Sequence, residues 1–260
     1  MNQIALKSCP NVRDLGGGKG LNGKTIRTGR LIRASKPDKL TAEDRGILRD
    51  GFKVRAVIDL RTEREAREDP DVDLGCEYYN IPLRPDVKAG VGYRFPESLK
   101  AYSQKFPSMP QMYVDMLTAD YSRGRLRRIF EIIFDAARKG ACVLFHCTEG
   151  KDRTGIVAAL AELLLGVDRD EMTRDYMLSN ACFRRRNRFY FALTVVGFLD
   201  VGYAKEFKMM YEARPSMLQS LFNIIDERGG IDEYFKSHLR FRQADLDSFR
   251  KNMLCEPTDA

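Results

Sequence analysis

The sequence predicts an α/β fold: a central, mostly parallel sheet flanked by helices, with extra helices after its main loop. Three observations predict it. The runs "VRAVIDL" (54–60) and "ACVLFH" (141–146) are short, apolar and rich in strand formers, as in strands covered on both faces. Between them lies a helical pattern in which Leu126, Ile129, Phe130, Ile133 and Phe134 recur at three- and four-residue spacing. The second run then turns through a tight loop into "RTGIVAALAELLLG", a helix apolar nearly all round and therefore central. A strand, a tight loop and a buried helix form the unit with which α/β sheets hold anions.

The remaining elements follow in order. "LNGKTIRTGRLIRAS" reads as a hairpin around Asn22 and Gly23, residues that tolerate the positive φ of tight turns. Thr41 is placed to cap a short helix whose acidic residues, Glu43 and Asp44, come first. "CEYYNIPL" reads as a strand closed by Pro82. From Pro96 to Lys139 the pattern is helical, and Gly140 stops it. Gly166 ends the central helix, and the chain beyond is mostly helical. Its segments are "DRDEMTRDYMLSN", "RFYFALTVVGFLDVGYAKEFKMMY", "RPSMLQSLFNIIDERGG", "IDEYFKSHL" and "DLDSFRKNML", with Pro215 suited to a first helical turn.

A chain of 260 residues without repeats, low-complexity tracts or a Pro/Gly/Ser linker fits one domain, 1–260. No apolar run approaches the roughly 20 residues that span a bilayer. The N-terminus lacks the apolar core of a secretory signal, so a cytoplasmic location is expected, with export by a signal-free route left open. Six cysteines without paired spacing and only two histidines give no credible zinc site; no metal and no cofactor are expected. The net charge of +7 favours anionic partners. Nucleic acid is not expected, because no finger, helix-turn-helix or aromatic-basic repeat is present. Phosphorylated substrates suit the same charge.

The chemistry concentrates between His146 and Thr154. A backbone that turns sharply there needs Gly150, and the N–H groups of Thr148, Glu149, Gly150 and Lys151 would converge with the first free donors of the helix. A phosphate at that point gains hydrogen bonds and the positive end of the helix dipole. Arg153 adds a planar fork matched to two phosphate oxygens. The same field stabilises a thiolate at Cys147, since a thiol of pKa ~8.5 falls to about 3.5–7.5 at helix N-termini beside cations. Attack by sulfur on phosphorus would give a phosphocysteine that water hydrolyses, with Thr154 donating its hydroxyl to the departing sulfur. The plainer reading makes Cys147 a core thiol and Arg153 a solvent-facing helix starter. A cysteine and an arginine at this spacing are weak evidence alone, as "CFRRRNR" (182–188) has them by chance. Strand, histidine, glycine, lysine, arginine, threonine and helix in sequence are specific.

The string "HCTEGKDRTG" resembles the signature of the cysteine-dependent protein tyrosine phosphatase superfamily. Its "GKDRTG" is similar to the atypical bacterial tyrosine-phosphatase family, whose members act on phosphotyrosine, phosphoserine/threonine and phosphoinositides. "NVRDLGG", "LIRASKPDKLT", "VIDLRTEREAREDPD" and "GGIDEYFKSHLRFRQADLDSFRKNML" extend the resemblance over almost the whole chain. It implies a protein-tyrosine-phosphatase-like fold, with Cys147 as nucleophile and Arg153 as phosphate clamp. It also implies Asp152 as the proton donor, because the chain has no tryptophan for a Trp-Pro-Asp loop. An aspartate at a helix N-terminus often only serves backbone donors, and Asp120 is the alternative acid.

Asp59 and Arg61 end a strand at the carboxyl edge of the sheet and are expected to line the same crevice, with Asp59 orienting Lys151 or Arg153. A weak surface salt bridge is the competing reading for Arg61. Lys151 fits a second phosphate group or a solvated loop position. His146 is expected to fix the loop through a ring hydrogen bond. The "RRRNR" run (184–188) suits anionic lipid or acidic protein, or a solvated helix face. Residues 168–213 are expected to form a helical insertion; "FYFALTVVGFL" within it reads as cover over the crevice or, preferably, core with a mobile edge.

The function expected is metal-independent hydrolysis of phosphomonoesters through phosphocysteine. Its substrates would be phosphorylated protein or phosphoinositide, the latter bringing the enzyme to a membrane surface. An inositol-phosphate or phosphoinositide phosphatase is the alternative enzyme, and a phosphate-binding module without turnover the alternative class. Sulfurtransferase and arsenate reductase chemistry would need persulfide steps or a thiol relay that the cysteine spacing does not supply.

Overall fold

The computed structural model describes residues 2–86, 109–198, 208 and 211–257. Its strands are β1 (Asn2–Gln3), β2 (Arg13–Asp14), β3 (Thr25–Ile26), β4 (Leu31–Ala34), β5 (Val54–Asp59), β6 (Glu77–Asn80), β7 (Cys142–His146) and β8 (Leu254–Cys255). Among the described residues the main sheet runs β1-β2-β4-β7-β5-β6. The strands β4, β7, β5 and β6 are parallel, and β1 and β2 join antiparallel at one edge. The apolar run 141–146 is thus central, as a strand covered on both faces must be.

Alternation along the strands builds two cores. Val143 and Phe145 of β7 and Ile58 of β5 enter one apolar cluster, while Leu144 and Val57 enter the other. The larger cluster packs against α3 (Met109–Thr118), α4 (Asp120–Lys139) and α5 (Asp152–Leu165), which follow α1 (Ala42–Gly46) and α2 (Glu63–Glu68) in the chain. Leu126, Ile129, Phe130, Ile133 and Phe134 all point into it, as their spacing predicts. Then come α6 (Arg169–Cys182), α7 (Arg184–Phe198), α8 (Pro215–Glu227) and α9 (Gln243–Met253). The α5 helix is buried along almost its whole length, and Gly166 at φ 77° ends it. Thr41 caps α1 by accepting from the Asp44 N–H.

One expectation is completed and one corrected. The hairpin around Asn22–Gly23 forms, with the Gly17 N–H donating to the Ile26 carbonyl (2.8 Å), the Ile26 N–H to the Gly18 carbonyl (2.9 Å) and Lys19 bridging Thr25; on its other edge β3 pairs with β8, Thr25 opposite Cys255, while β4 enters the main sheet. A partner so far along the chain leaves no local signal. The described apolar residues of α7 do not form core: Phe189 is 60% and Val196 72% exposed. The helix turns Asn187 and Thr194 inward instead, leaving the opposite face outside. The expected helical stretches 96–108 and 199–207 lie outside the described residues. All six cysteines are free thiols. Among the described residues no helix is long and apolar enough to cross a membrane.

Candidate active site

Ala34, His146 and Asp59 stand side by side at the carboxyl ends of β4, β7 and β5. The chain leaves this edge at Cys147, makes a loop through Lys151 and enters α5. Gly150 has φ 64°, and a Cβ there would sit 2.4 Å from the carbonyl oxygen of Ala34, so the loop closes this tightly only on glycine.

The polar groups of the loop are sorted by side. The Thr148 carbonyl accepts from the Lys36 N–H (3.3 Å), and the Glu149 carbonyl accepts from Asn11 Nδ2 (2.7 Å). The Gly150 carbonyl accepts from Asn11 Nδ2 (3.2 Å) and from Arg33 Nη2 (3.0 Å). Among the described residues no group accepts the N–H of Thr148, Glu149 or Gly150. In a trans peptide the C=O and N–H point to opposite sides, so carbonyls held behind the loop turn the following N–H groups to its front. Successive free amides of this kind form an anion-binding nest.

Arg153 lies at this loop but does not face solvent. Its Nη1 donates to Glu65 Oε2 (2.6 Å) and its Nη2 to Glu65 Oε1 (2.9 Å) and Thr148 Oγ1 (3.1 Å), none of which uses Nε–H. Glu65 also accepts from the Thr148 hydroxyl (2.9 Å) and from the Thr62 N–H (2.9 Å), closing a capping box at the start of α2. Burial alone would raise the Glu65 pKa; the Arg153 charge and these bonds outweigh it and hold the carboxylate well below its usual range. Burial likewise opposes the charge on Arg153, and Glu65 more than restores it.

Cys147, 3% exposed, lines a narrow hollow of about 20 Å³ with Thr148, Glu149, Asp152, Arg153, Arg84, Met112 and Met116. Asp152 Oδ1 lies 3.0 Å from the Tyr113 hydroxyl and 3.3 Å from the Tyr176 hydroxyl, themselves 2.8 Å apart, so two hydroxyl protons serve three contacts. Lys151 is buried, with Nζ 3.6 Å from Asp152 and 3.9 Å from Glu149, not reaching into solvent. Glu149 is in turn paired with Arg186 of α7 at 2.5 Å. Among the described residues the buried Thr154 hydroxyl has no hydrogen-bond partner. A larger groove of about 960 Å³, lined by Arg30, Arg55 and Lys139 among others, opens at the opposite ends of β5 and β7 and holds none of these groups.

The structure does not bring every predicted residue together. Asp59 is directed to Arg61 and not to Lys151 or Arg153: Arg61 Nη2 lies 2.7 Å from Asp59 Oδ2 and 2.7 Å from Asp71 Oδ1. Both residues are buried beside the hollow and do not line it, and four of the five Arg61 N–H donors are taken by Asp59, Asp71 and the Asp69 carbonyl. The surface salt bridge foreseen for Arg61 is a buried one. His146 bonds through Nε2 to Asp71 (2.7 Å) and through Nδ1 to the Cys147 carbonyl (3.3 Å), so its ring does fix the loop. Asp59, Asp71 and His146 could converge on a metal ion, but Arg61 already compensates both carboxylates. Asp120 starts α4 in solvent, paired with Arg123.

Sequence reasoning missed Glu65, Asn11, Arg33, Tyr113 and Tyr176. The Thr62-to-Glu65 spacing signals a capping box and so a helix start, which is the one local trace of Glu65. Asn11 and Arg33 lie in the "NVRDLGG" and "LIRAS" stretches that carry the resemblance, without a local sign of their role, and Tyr113 and Tyr176 leave no trace.

The chain matches the model of the tyrosine phosphatase family over residues 4–255. It is 29% identical over 252 residues to a Cupriavidus necator protein provisionally named as a tyrosine-protein phosphatase, covering 94% of this chain and 87% of that one. It is 35% identical over 153 residues to a tyrosine-protein phosphatase of Nostoc commune, covering 57% of this chain and 48% of that protein. The triple specificity protein phosphatase PtpB of Mycobacterium tuberculosis is 30% identical over 179 residues, covering 60% of this chain and 62% of PtpB. The chain belongs to the tyrosine phosphatase family: it is a protein tyrosine phosphatase, an enzyme whose substrates are phosphorylated.

Proposed function

For this member of the tyrosine phosphatase family we propose metal-independent hydrolysis of phosphotyrosine through a phosphocysteine formed on Cys147. The observation that carries the reading is the sorting of the loop: carbonyls bonded behind, amides of Thr148, Glu149 and Gly150 unpaired among the described residues, and Cys147 lining the hollow with Thr148 and Glu149. The amides and the Arg153 Nε–H would hold the phosphate oxygens as charge builds on them, the arrangement that contributes most to such reactions. Glu65 fixes the guanidinium, so little reorganisation is left for the moment of reaction. The thiolate attacks phosphorus, the phenolate leaves with the proton of Asp152, and water then releases inorganic phosphate from sulfur. The unpartnered Thr154 hydroxyl is available to the sulfur as it departs. A phosphate needs more room than the hollow now gives, and Met112 and Met116, unbranched and adaptable, are the side chains able to yield it.

Phosphoserine/threonine and phosphoinositides extend the proposed substrate range, supported by the signature and by the triple specificity relative. Lys151, packed between two carboxylates, does not support a preference for a second phosphate. The test is turnover of an aryl phosphate in chelator, with vanadate as inhibitor and Cys147→Ser as control. Vanadate-sensitive turnover lost in the serine variant is expected, and turnover persisting in it would falsify the nucleophile.

A further inference from the structure

The "NVRDLGG" and "LIRAS" stretches contribute no atom to the hollow, yet both reach the back of the loop. Asn11 precedes β2 in a left-handed conformation, φ 60°, which asparagine tolerates better than most residues. From there its amide spans the Glu149 and Gly150 carbonyls. Its side-chain oxygen accepts from Arg13 Nη1, which orients the amide so that nitrogen faces the loop. Arg33 on β4 reaches the Gly150 carbonyl from the other side. Arg13 and Arg33 are both buried and share one carboxylate, Asp175 of α6, at 2.8 and 3.0 Å.

Two buried polar side chains, Asn11 and Arg33, are thus spent on two backbone carbonyls, with Arg13 and Asp175 buried behind them. The consequence lies on the other face of the same peptides. A donor on the Glu149 oxygen directs the Gly150 N–H forward, and donors on the Gly150 oxygen direct the Lys151 N–H forward. A donor also draws electron density from the peptide, so the opposite N–H becomes a better donor to an anion. Without these bonds a carbonyl oxygen could rotate into the hollow, where it would repel a phosphate.

We propose that Asn11 and Arg33 are positioning residues of the phosphate site, with Arg13 and Asp175 holding them in place. This rests on the reading of the loop as the phosphate site. The arrangement acts on phosphate affinity through backbone direction alone, since neither residue lines the hollow.

The experiment measures the inhibition constant of inorganic phosphate, with kcat and KM on an aryl phosphate, for Asn11→Asp and Arg33→Met, beside thermal unfolding. Asn11→Asp keeps the shape but sets an acceptor against two carbonyls. The inhibition constant is expected to rise about tenfold or more, the usual order for one lost hydrogen bond to a charged system, with KM rising alongside. The milder Arg33→Lys keeps the charge beside Asp175 but reaches only one of its two partners. It should recover part of the phosphate affinity that Arg33→Met loses, and a role in folding alone would restore Tm without that split. Should Arg33→Met not fold, Arg33→Lys must itself weaken phosphate at least about threefold. Folded Asn11→Asp and Arg33→Lys proteins with phosphate inhibition unchanged from wild type overturn the proposal. That result, with turnover still abolished by Cys147→Ser, leaves the catalytic reading standing; turnover surviving in Cys147→Ser sinks the catalytic reading separately.

Discussion

Arg153 and Glu65 meet edge to edge, Nη1 2.6 Å from Oε2 and Nη2 2.9 Å from Oε1, across 88 positions of sequence. The carboxylate joins α2 to the loop and leaves the Nε side of the guanidinium for a ligand. Replacing Glu65 by Gln strands a buried cation, a change that costs about 3–5 kcal/mol when one partner of such a pair is removed. Urea unfolding at neutral pH should show that loss, with turnover falling as Arg153 loses its fixed direction.

The same pair sets an acid limit. The Glu65 pKa is depressed in the folded protein, so its contribution is fully present above the unfolded value of about 4.3 and is lost as pH falls towards the folded value. Wild-type stability should therefore decline more steeply below about pH 5 than that of Glu65→Gln. Equal acid slopes for the two proteins would show that the pair carries no such linkage.

Arg153→Lys keeps the charge but cannot hold Glu65 through two parallel bonds while offering a third donor to phosphate. A drop in kcat/KM on the order of 10²–10³ is expected, the scale of losing one donor to a developing oxyanion. Steady-state kinetics on an aryl phosphate measures it.

Asp152 borders the hollow beside the hydroxyls of Tyr113 and Tyr176, whereas Asp120 is in solvent with Arg123. Asp152→Asn should lower kcat by roughly 10²–10⁴. Asp120→Asn should leave it within about twofold, as changes at exposed ion pairs usually do. Small and equal losses would remove Asp152 from the reaction.

Glu162 on α5 is buried, and burial first, then the nearby Asp175 carboxylate, push its pKa up to about 8 against the opposing pull of Arg33 and Arg13. Among the described residues its Oε1 has no hydrogen-bond partner. Between pH about 4.3 and about 8 the unfolded chain has lost this proton while the folded chain keeps it, so wild-type stability falls as pH rises. The slope is at most about 1.4 kcal/mol per pH unit. Glu162→Gln lacks the linkage and should gain on wild type steadily across that window, read from denaturation midpoints at several pH values.

Gly150→Ala would bring a Cβ to 2.4 Å from the Ala34 carbonyl oxygen in a left-handed backbone at φ 64°. The loop must shift or β4 must retreat. A stability loss of about 2 kcal/mol or more is expected, with turnover reduced at least about tenfold as the amides lose their common direction. Calorimetry and kinetics on the same preparation check both.

The elements most legible in the sequence are those whose causes lie within a few residues. Short continuous apolar runs fixed β5 and β7, three- and four-residue spacing fixed α4, an all-round apolar stretch fixed α5, and the caps at Thr41, Gly140 and Gly166 follow from local rules. Cys147 and Arg153 were legible for the same reason, since one loop carries both. The outward face of α7 was not, because it depends on what Asn187 and Thr194 meet across the chain.

By itself, then, the sequence determined that a cysteine and an arginine share a glycine turn between a buried strand and a buried helix. Only the tertiary structure decided that Glu65, not Asp59, faces Arg153, that Arg61 is spent on Asp59 and Asp71, and that Asn11 and Arg33 stand behind the loop. The reason is physical: local backbone preferences act along the chain, whereas a buried charge pairs with whichever opposite charge the sheet order brings within about 3 Å.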